Sequence, residues 1–367
     1  MVIGIDGTRG INEKAGIGRY TKNLVAYMAQ YPNVDVRFFF TFMRGGKSKL
    51  KEIKSITGTR PFTTKRVPGE FKNSLWGGPI SWPDLFMPQV DLWHAPSIWE
   101  APLATKKPLV LTIHDMTSFL FPQLRGKKVS GNQNRRTIKA IRRADHIIAV
   151  SKATKDDIVK YLPEAKNKIT VVHLGLDPIF RTLNYIKRDK IILAVGTVEP
   201  RKNLKLLFDA FLRLPQELQD EYEIWVVGAK GWNDGAIFSH AKKMGKKVKF
   251  WGYVSDKKLV EIMNHAEIFA FPSLYEGFGL PLIEAMACGL PVITNNISSM
   301  PEVAHGAAMV MPPNVVPWAA GLKRLITDKA SRNVLRVKGL GRAKEFSWKK
   351  TVKETAAVYN KVVPLAN

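Results

Sequence analysis

The feature that most constrains this 367-residue chain is a recurrence of short apolar runs, each closed by a glycine or polar loop and followed by a helical pattern. Val2–Asp6 is the first such run, suited to a strand buried on both faces. Gly7–Ala15 reads as a polar loop. Gly16–Gln30 reads as a helix with Tyr20, Leu24, Tyr27 and Met28 on one face, and Val34–Phe42 as the next strand. Strand, helix, strand at this spacing is a βαβ unit, which predicts an α/β fold with a parallel sheet. Asp91–Ala95, Leu109–His114, His146–Val150 and Ile169–Val172 are predicted as further strands, with Arg135–Ala144 and Thr154–Tyr161 as helices. Residues 44–75 are basic and irregular, and no element is placed there.

Arg181–Lys190 reads as a charged linker, and beyond it the pattern restarts. Ile191–Gly196 is a strand, Leu204–Leu212 a helix, and Glu223–Val227, Val248–Phe250, Ile268–Phe271 and Pro291–Thr294 are strands. A chain of this length is expected to build two cores, and an apolar content of 45% is enough for both. The predicted division is 1–182 and 187–350. The one cysteine, Cys288, allows no internal disulfide and no cysteine-rich metal site, which fits a reducing compartment. The N-terminus lacks the basic and apolar regions of a signal peptide, and no apolar run reaches the roughly 18 residues of a spanning helix.

Lysine and arginine number 57 against 31 acidic residues, a net charge of +26. Such a field attracts nucleic acid, anionic lipid or phosphorylated substrates; it is equally the solvated surface of a lysine-rich protein. No helix-turn-helix, aromatic RNA platform or zinc-finger pattern accompanies it, so nucleic-acid binding is a remote alternative.

The most informative string runs from Pro272 through Tyr275-Glu276-Gly277-Phe278-Gly279-Leu280-Pro281 to Glu284 and on to Gly289. It reads as strand, glycine loop and helix, with Pro281 suited to the first turn and Gly289 to the end. Such a turn offers backbone N–H groups and a positive dipole end to a phosphate. Glu276 is placed in the loop and Glu284 in the first helical turn, where carboxylates can accept paired hydrogen bonds from sugar hydroxyls.

This string resembles the retaining glycosyltransferases of family 4, whose signature is two glutamates separated by seven residues. The resemblance implies a GT-B fold: two facing Rossmann-like domains, with the C-terminal helix (351–367) crossing back to the N-terminal domain. It implies that domain 1–182 binds acceptor and domain 187–350 binds a nucleotide-sugar. Glu276 would bind hydroxyls of the transferred sugar, Glu284 the ribose, and the Gly277–Leu280 backbone, including Phe278 and Gly279, the sugar and diphosphate. In Gly196-Thr-Val-Glu-Pro-Arg-Lys-Asn203, Lys202 matches the family's phosphate-binding lysine. The family's arginine would fall at Thr197, so Arg201 is the expected substitute. Gly16 and Gly18 match a glycine loop that closes on the donor phosphate. His114, at a strand end, matches a histidine that contacts the transferred sugar. Tyr253 and Val254 match a turn that flanks the base, with Asp256 as a candidate N-cap of the helix at 257–264.

The resemblance further implies same-face displacement with retention, no metal and no separate cofactor, the nucleotide-sugar (GDP- or UDP-linked) being the substrate. The Glu-Pro-Arg-Lys-Asn turn looks like that of mannosyltransferases. The expected reaction is therefore hexose transfer to a saccharide or lipid-linked saccharide. A sugar-nucleotide epimerase on the same fold is the alternative. Basic clusters stand at Lys47–Lys54, Lys65-Arg66 and Arg135–Arg143, and Phe62, Phe71, Trp76, Trp82, Phe86, Trp93 and Trp99 lie among or after the first two; together they read either as an anionic-membrane surface or as core aromatics beside a solvated face. The expected location is cytoplasmic, with peripheral docking on the inner face of a membrane under the first of those readings.

Overall fold

The computed structural model describes residues 1–13, 16–32, 34–124, 127–183 and 187–363. Residues 14–15 of the first loop, 184–186 of the linker and 364–367 of the C-terminal segment lie outside the described residues. The chain forms two compact units, one from Met1–Pro122, Lys127–Gly175 and the chain from Trp348 onward, the other built on Leu176–Ser347.

The first unit holds a seven-stranded parallel sheet: β1 (Val2–Asp6), β2 (Asp35–Thr41), β3 (Phe62–Lys65), β4 (Leu92–Ala95), β5 (Leu109–Ile113), β6 (His146–Ala149) and β7 (Ile169–Val171). Their spatial order is β3-β2-β1-β4-β5-β6-β7. The second unit holds a six-stranded parallel sheet: β8 (Ile191–Val195), β9 (Glu223–Val227), β10 (Val248–Gly252), β11 (Ile268–Phe271), β12 (Val292–Asn295) and β13 (Met309–Met311), in the order β10-β9-β8-β11-β12-β13. Both are doubly wound. Strand order reverses between β1 and β4 in one unit and between β8 and β11 in the other, and ligands bind at such switch points.

The apolar runs are buried as expected, with β5, β6, β11 and β12 covered along their whole length. The helix Ile17–Met28 buries Tyr20, Leu24, Val25 and Met28. The last helix, Trp348–Val362, buries Val352, Thr355, Ala356 and Tyr359 against that helix and against β5 and β6, so the chain ends in the unit where it began.

Several expectations are corrected. The loop read at 7–15 contains a short helix, Thr8–Asn12; Ile11 is buried, but Gly10 sits mid-helix because its neighbour is the Lys22 backbone, and glycine hid the pattern. The unplaced stretch 44–75 folds as the helix Gly46–Thr57, β3 and the helix Gly69–Gly77. The first of these buries only Ile53, Ile56 and Thr57, and its lysines mask so narrow an apolar stripe. The basic helix begins at Lys127 rather than Arg135, and β13, three residues long, was not anticipated.

The seven aromatics read beside the basic clusters are mostly core. Trp76 and Trp93 are buried, Phe39 packs on Trp76 and Phe86 at ring separations of 5.0 and 5.8 Å, and Phe71 stands out as exposed.

A buried hydrogen-bond chain ties the last helix into the first unit. Tyr359 Oη lies 2.6 Å from His94 Nδ1, His94 Nε2 lies 2.8 Å from Thr112 Oγ1, and Thr112 Oγ1 lies 3.0 Å from Tyr20 Oη. Burial holds the His94 imidazole down to about 3, with the neighbouring His114 adding to the effect. A depressed histidine contributes stability in full above its unfolded value of about 6.5 and loses it as pH falls toward 3, a contribution on the order of 5 kcal/mol. Acid titration of a His94→Asn variant should therefore show a flatter loss of stability between pH 6.5 and 4 than the parent. Equal slopes would refute the assignment.

Candidate active site

The strand ends that flank the second switch point carry the richest polar cluster. After β8, Gly196 leads into a turn, Pro200–Lys202, and Asn203 in the left-handed region (φ 51°) precedes the helix Leu204–Phe211. After β11, Pro272–Phe278 leads to Gly279 (φ 98°), the N-cap of the helix Leu280–Ala287. Both helix starts thus lie at the C-terminal edge of the sheet, where their dipoles favour an anion.

Glu276 joins the two turns. Its Oε1 lies 2.6 Å from Lys202 Nζ and its Oε2 3.0 Å from Arg201 Nη1. Arg201 also donates to the Tyr275 carbonyl at 2.6 Å and pairs with Glu199 at 2.6 Å. Leu274 N donates to the Arg201 carbonyl at 2.8 Å, so backbone as well as side chains clamp the loops together. Burial by itself would raise the Glu276 carboxyl; Arg201 and then Lys202 outweigh it and bring it down to about 2. Burial pulls Lys202 below its ordinary value, with Glu276 opposing. The cluster at neutral pH is two carboxylates and two cations, balanced and almost dry.

This arrangement can exchange partners. An anion arriving at the helix starts would compete with Glu276 for Lys202, and the carboxylate's freed lone pairs could then accept from hydroxyl donors.

Glu276, Arg201, Lys202 and the glycine loop are therefore brought together as the sequence suggested. Glu284 is not in the first helical turn: it lies in the second and is 2% exposed. Gly277 and Gly279 flank buried Phe278, whose ring meets Phe346 edge-on at 5.6 Å, and Leu280 opens the helix. Tyr253 is exposed and Val254 half-buried in the turn after β10; the helix there begins at Asp256 and is capped by Ser255 Oγ, which accepts from Lys258 N at 3.3 Å. Asp256 is thus the first helical residue, not the cap.

Sequence reasoning missed Glu199; Asn295, Ser298 and Ser299 fall in the segment 295–302, which follows a strand end and resembles the family's stretch near the base but is given no catalytic role by the sequence. Buried Asn295 donates to the carbonyls of Pro272 and Ser273 at 2.7 and 2.9 Å, and Trp318 Nε1 donates to its Oδ1 at 2.8 Å. Ser298 and Ser299 hydroxyls donate to the Glu276 carbonyl at 2.6 and 2.9 Å. These groups shape the loop that carries Glu276. A polar residue at a buried strand end was the available signal.

In the first unit, His114 follows β5. Its Nε2 donates to the Pro96 carbonyl at 2.8 Å, and its ring meets Tyr20 edge-on at 4.6 Å. A carbonyl only accepts, so the proton is on Nε2 and Nδ1 is the acceptor. Burial lowers the imidazole's pKa, which favours the neutral ring. Gly16 caps the helix Ile17–Met28 at φ 53°, and a Cβ on Gly18 would fall 2.3 Å from the Glu13 carbonyl oxygen. Beside them lies a second missed cluster: buried Lys72 bridges Asp6 (3.0 Å) and Glu100 (3.1 Å), and Arg9 joins Glu100 at 3.2 Å.

Comparison with known proteins gives the family and the fold. The family described as Glycosyltransferase Family 4 matches residues 15–180, and Glycosyl transferases group 1 matches residues 177–340. The O-antigen chain mannosyltransferase B of Escherichia coli is 31% identical over 264 residues, 68% of this chain and 69% of that protein. The chain belongs to glycosyltransferase family 4. It is a hexosyltransferase.

The serotype-specific mannosyltransferase WbdA of Escherichia coli is 30% identical over 66% of this family 4 chain, and the match spans 32% of WbdA's own length. Among solved structures, the Anabaena HepE complex with UDP-glucose superposes with a TM-score of 0.75 at 18% identity, covering 98% of this chain and 100% of that one. Sucrose-phosphate synthase from Thermosynechococcus elongatus gives 0.75 at 18%, covering 98% of each. These structures establish the GT-B fold of this family 4 enzyme. Among its described residues, no helix is long and apolar enough to cross a membrane.

Proposed function

We propose that this glycosyltransferase moves mannose from GDP-mannose, with retention of anomeric configuration, to a saccharide or lipid-linked saccharide. The reading is carried by the ion pair between Glu276 and Lys202, which joins the two helix starts at the switch point of the second unit. Lys202 and the start of helix Leu280–Ala287 meet the growing charge on the departing diphosphate. Glu276 orients the sugar, Glu284 takes the ribose, and Arg201, Gly16 and Gly18 complete the phosphate contacts. Tyr253 and Val254 flank the base, while His114, neutral and protonated on Nε2, faces the sugar. The leaving phosphate accepts the acceptor hydroxyl's proton, so the protein supplies position and charge and no cofactor is invoked. Mannose is favoured because the related proteins named above are mannosyltransferases. Their transfer activity also weighs against the epimerase reading.

Membrane docking belongs to the same proposal, as does a cytoplasmic location. With Trp76 and Trp93 in the core, it rests on the exposed Lys47, Lys51, Lys54 and Arg66 together with exposed Met43, Phe71, Ile80 and Leu85.

A thermal-shift screen of GDP-mannose, GDP, UDP-glucose and ADP-glucose tests the donor. A ligand at about 100 times its Kd stabilises by about 2.7 kcal/mol, a shift of several degrees. GDP-mannose is expected to give the largest rise. A larger rise with UDP-glucose would replace the base, and no rise with any nucleotide-sugar would sink the reading.

A further inference from the structure

We propose that a cavity of about 450 Å3 in the first unit, lined by Asn12, Thr41, Phe42, Arg44, Lys49 and Gly69, binds a phosphate ester of the acceptor. The inference rests on the transfer reading in one respect, that its anionic ligand is the acceptor.

Position comes first. Thr41 ends β2, and all strands of this sheet are parallel, so the cavity opens on the same sheet edge as His114 after β5. Open α/β sheets bind ligands at that edge. The volume lies within the range of small-molecule sites, roughly 300–1,000 Å3.

Charge is the second observation. Arg44 and Arg66 are exposed, and among the described residues no carboxylate lies within salt-bridge distance of either. Arg66 runs beside the cavity: its Nη2 lies 3.2 Å from where a Cβ on Gly46 would stand. Lys49 reaches inward to the Ile11 carbonyl and pairs with Glu52 at 3.3 Å. Arg44 lines the cavity and Arg66 precedes the lining residue Val67, so two planar guanidinium groups stand at or beside the mouth, and guanidinium matches phosphate oxygens in pairs.

Rigidity is the third. Asn12 ends the helix Thr8–Asn12, and Gly69 begins the helix Gly69–Gly77. These two walls are tied by the buried ions: Lys72 of one helix and Arg9 of the other both bind Glu100, while Lys72 also binds Asp6 at the end of β1. Asn12 Nδ2 donates to the Thr41 carbonyl at 3.0 Å, fixing the third wall. A wall held this way is formed before ligand arrives, which removes much of the ordering cost of binding. Exposed Met43 lines the mouth and offers an apolar surface to a chain carried on the same phosphate.

The test is calorimetric titration of the full chain, saturated with GDP, using mannose 1-phosphate, then inorganic phosphate, then vesicles containing phosphatidylglycerol. Mannose 1-phosphate should bind, inorganic phosphate should compete, and Arg44→Gln/Arg66→Gln should weaken binding about tenfold or more with GDP affinity unchanged. Both side chains are exposed, so the double variant should fold. The proposal is overturned if soluble phosphates do not bind, if the double variant binds them equally well, or if vesicles alone bind. If GDP fails to bind but mannose 1-phosphate does so in an arginine-dependent way, the cavity stands and the donor reading falls.

Discussion

Glu276→Gln is expected to lower kcat about 10²–10³-fold while leaving the binding of GDP alone unchanged or tighter. The substitution keeps shape and removes charge. Arg201 stays balanced by Glu199, but Lys202 loses the carboxylate 2.6 Å away, so the local sum moves from neutral to one net positive charge. A bare diphosphate meets a more positive site. The sugar loses the carboxylate that orients it, and the loss appears in turnover rather than in nucleotide affinity.

Stability falls as well. Holding Glu276 at about 2 rather than its ordinary value near 4.5 is a contribution on the order of 3 kcal/mol. Because the folded value is the depressed one, this contribution is complete at neutral pH and disappears as pH falls from about 4.5 toward 2. Rates must therefore be compared well below the variant's melting temperature. Transfer at the parental rate by a folded Glu276→Gln enzyme would end the assignment.

Gly228→Ala is expected to cost about 3 kcal/mol or more, or to prevent soluble expression. Gly228 directly follows β9 with φ at 154°, a region that L side chains rarely enter, and its Cβ would fall 2.0 Å from the Gly196 carbonyl oxygen. That neighbour is backbone and cannot swing aside. Gly196 N donates to the Val227 carbonyl and Gly228 N to the Gly252 carbonyl, both at 2.9 Å, so three adjacent strand ends close on one another. The same packing sets the path of Gly196 toward Lys202, and donor binding should fall together with stability. Gly235→Ala is the control: nothing lies within 4 Å of its Cβ, so a neutral or slightly stabilising effect is expected from denaturant melts. Equal behaviour of the two variants would refute the close-packed description.

Long, buried, parallel strands were legible because a strand covered on both faces must be apolar throughout, and Ile268–Phe271 or Leu109–Ile113 can be little else. The segment 44–77 was not legible for the opposite reason. Its helices bury only a few residues each, and their faces are set by what packs on them. Lys72 shows this most clearly: a lysine in a polar stretch reads as solvated, yet two carboxylates distant in sequence enclose it.

The site divides the same way. Its residue types, the glycine turns and the spacing of Glu276 from Glu284 are local properties, and local properties are written in consecutive residues. Glu284's burial in the second helical turn is set by packing, and the Arg201–Glu276 contact and the serines and asparagine behind it join segments about 20 to 80 positions apart. The sequence alone determined the α/β class, the two cores and the family. Which charges meet, and which carboxylates are buried, was decided by the tertiary structure, because pairing energies depend on distance and burial that no spacing along the chain specifies.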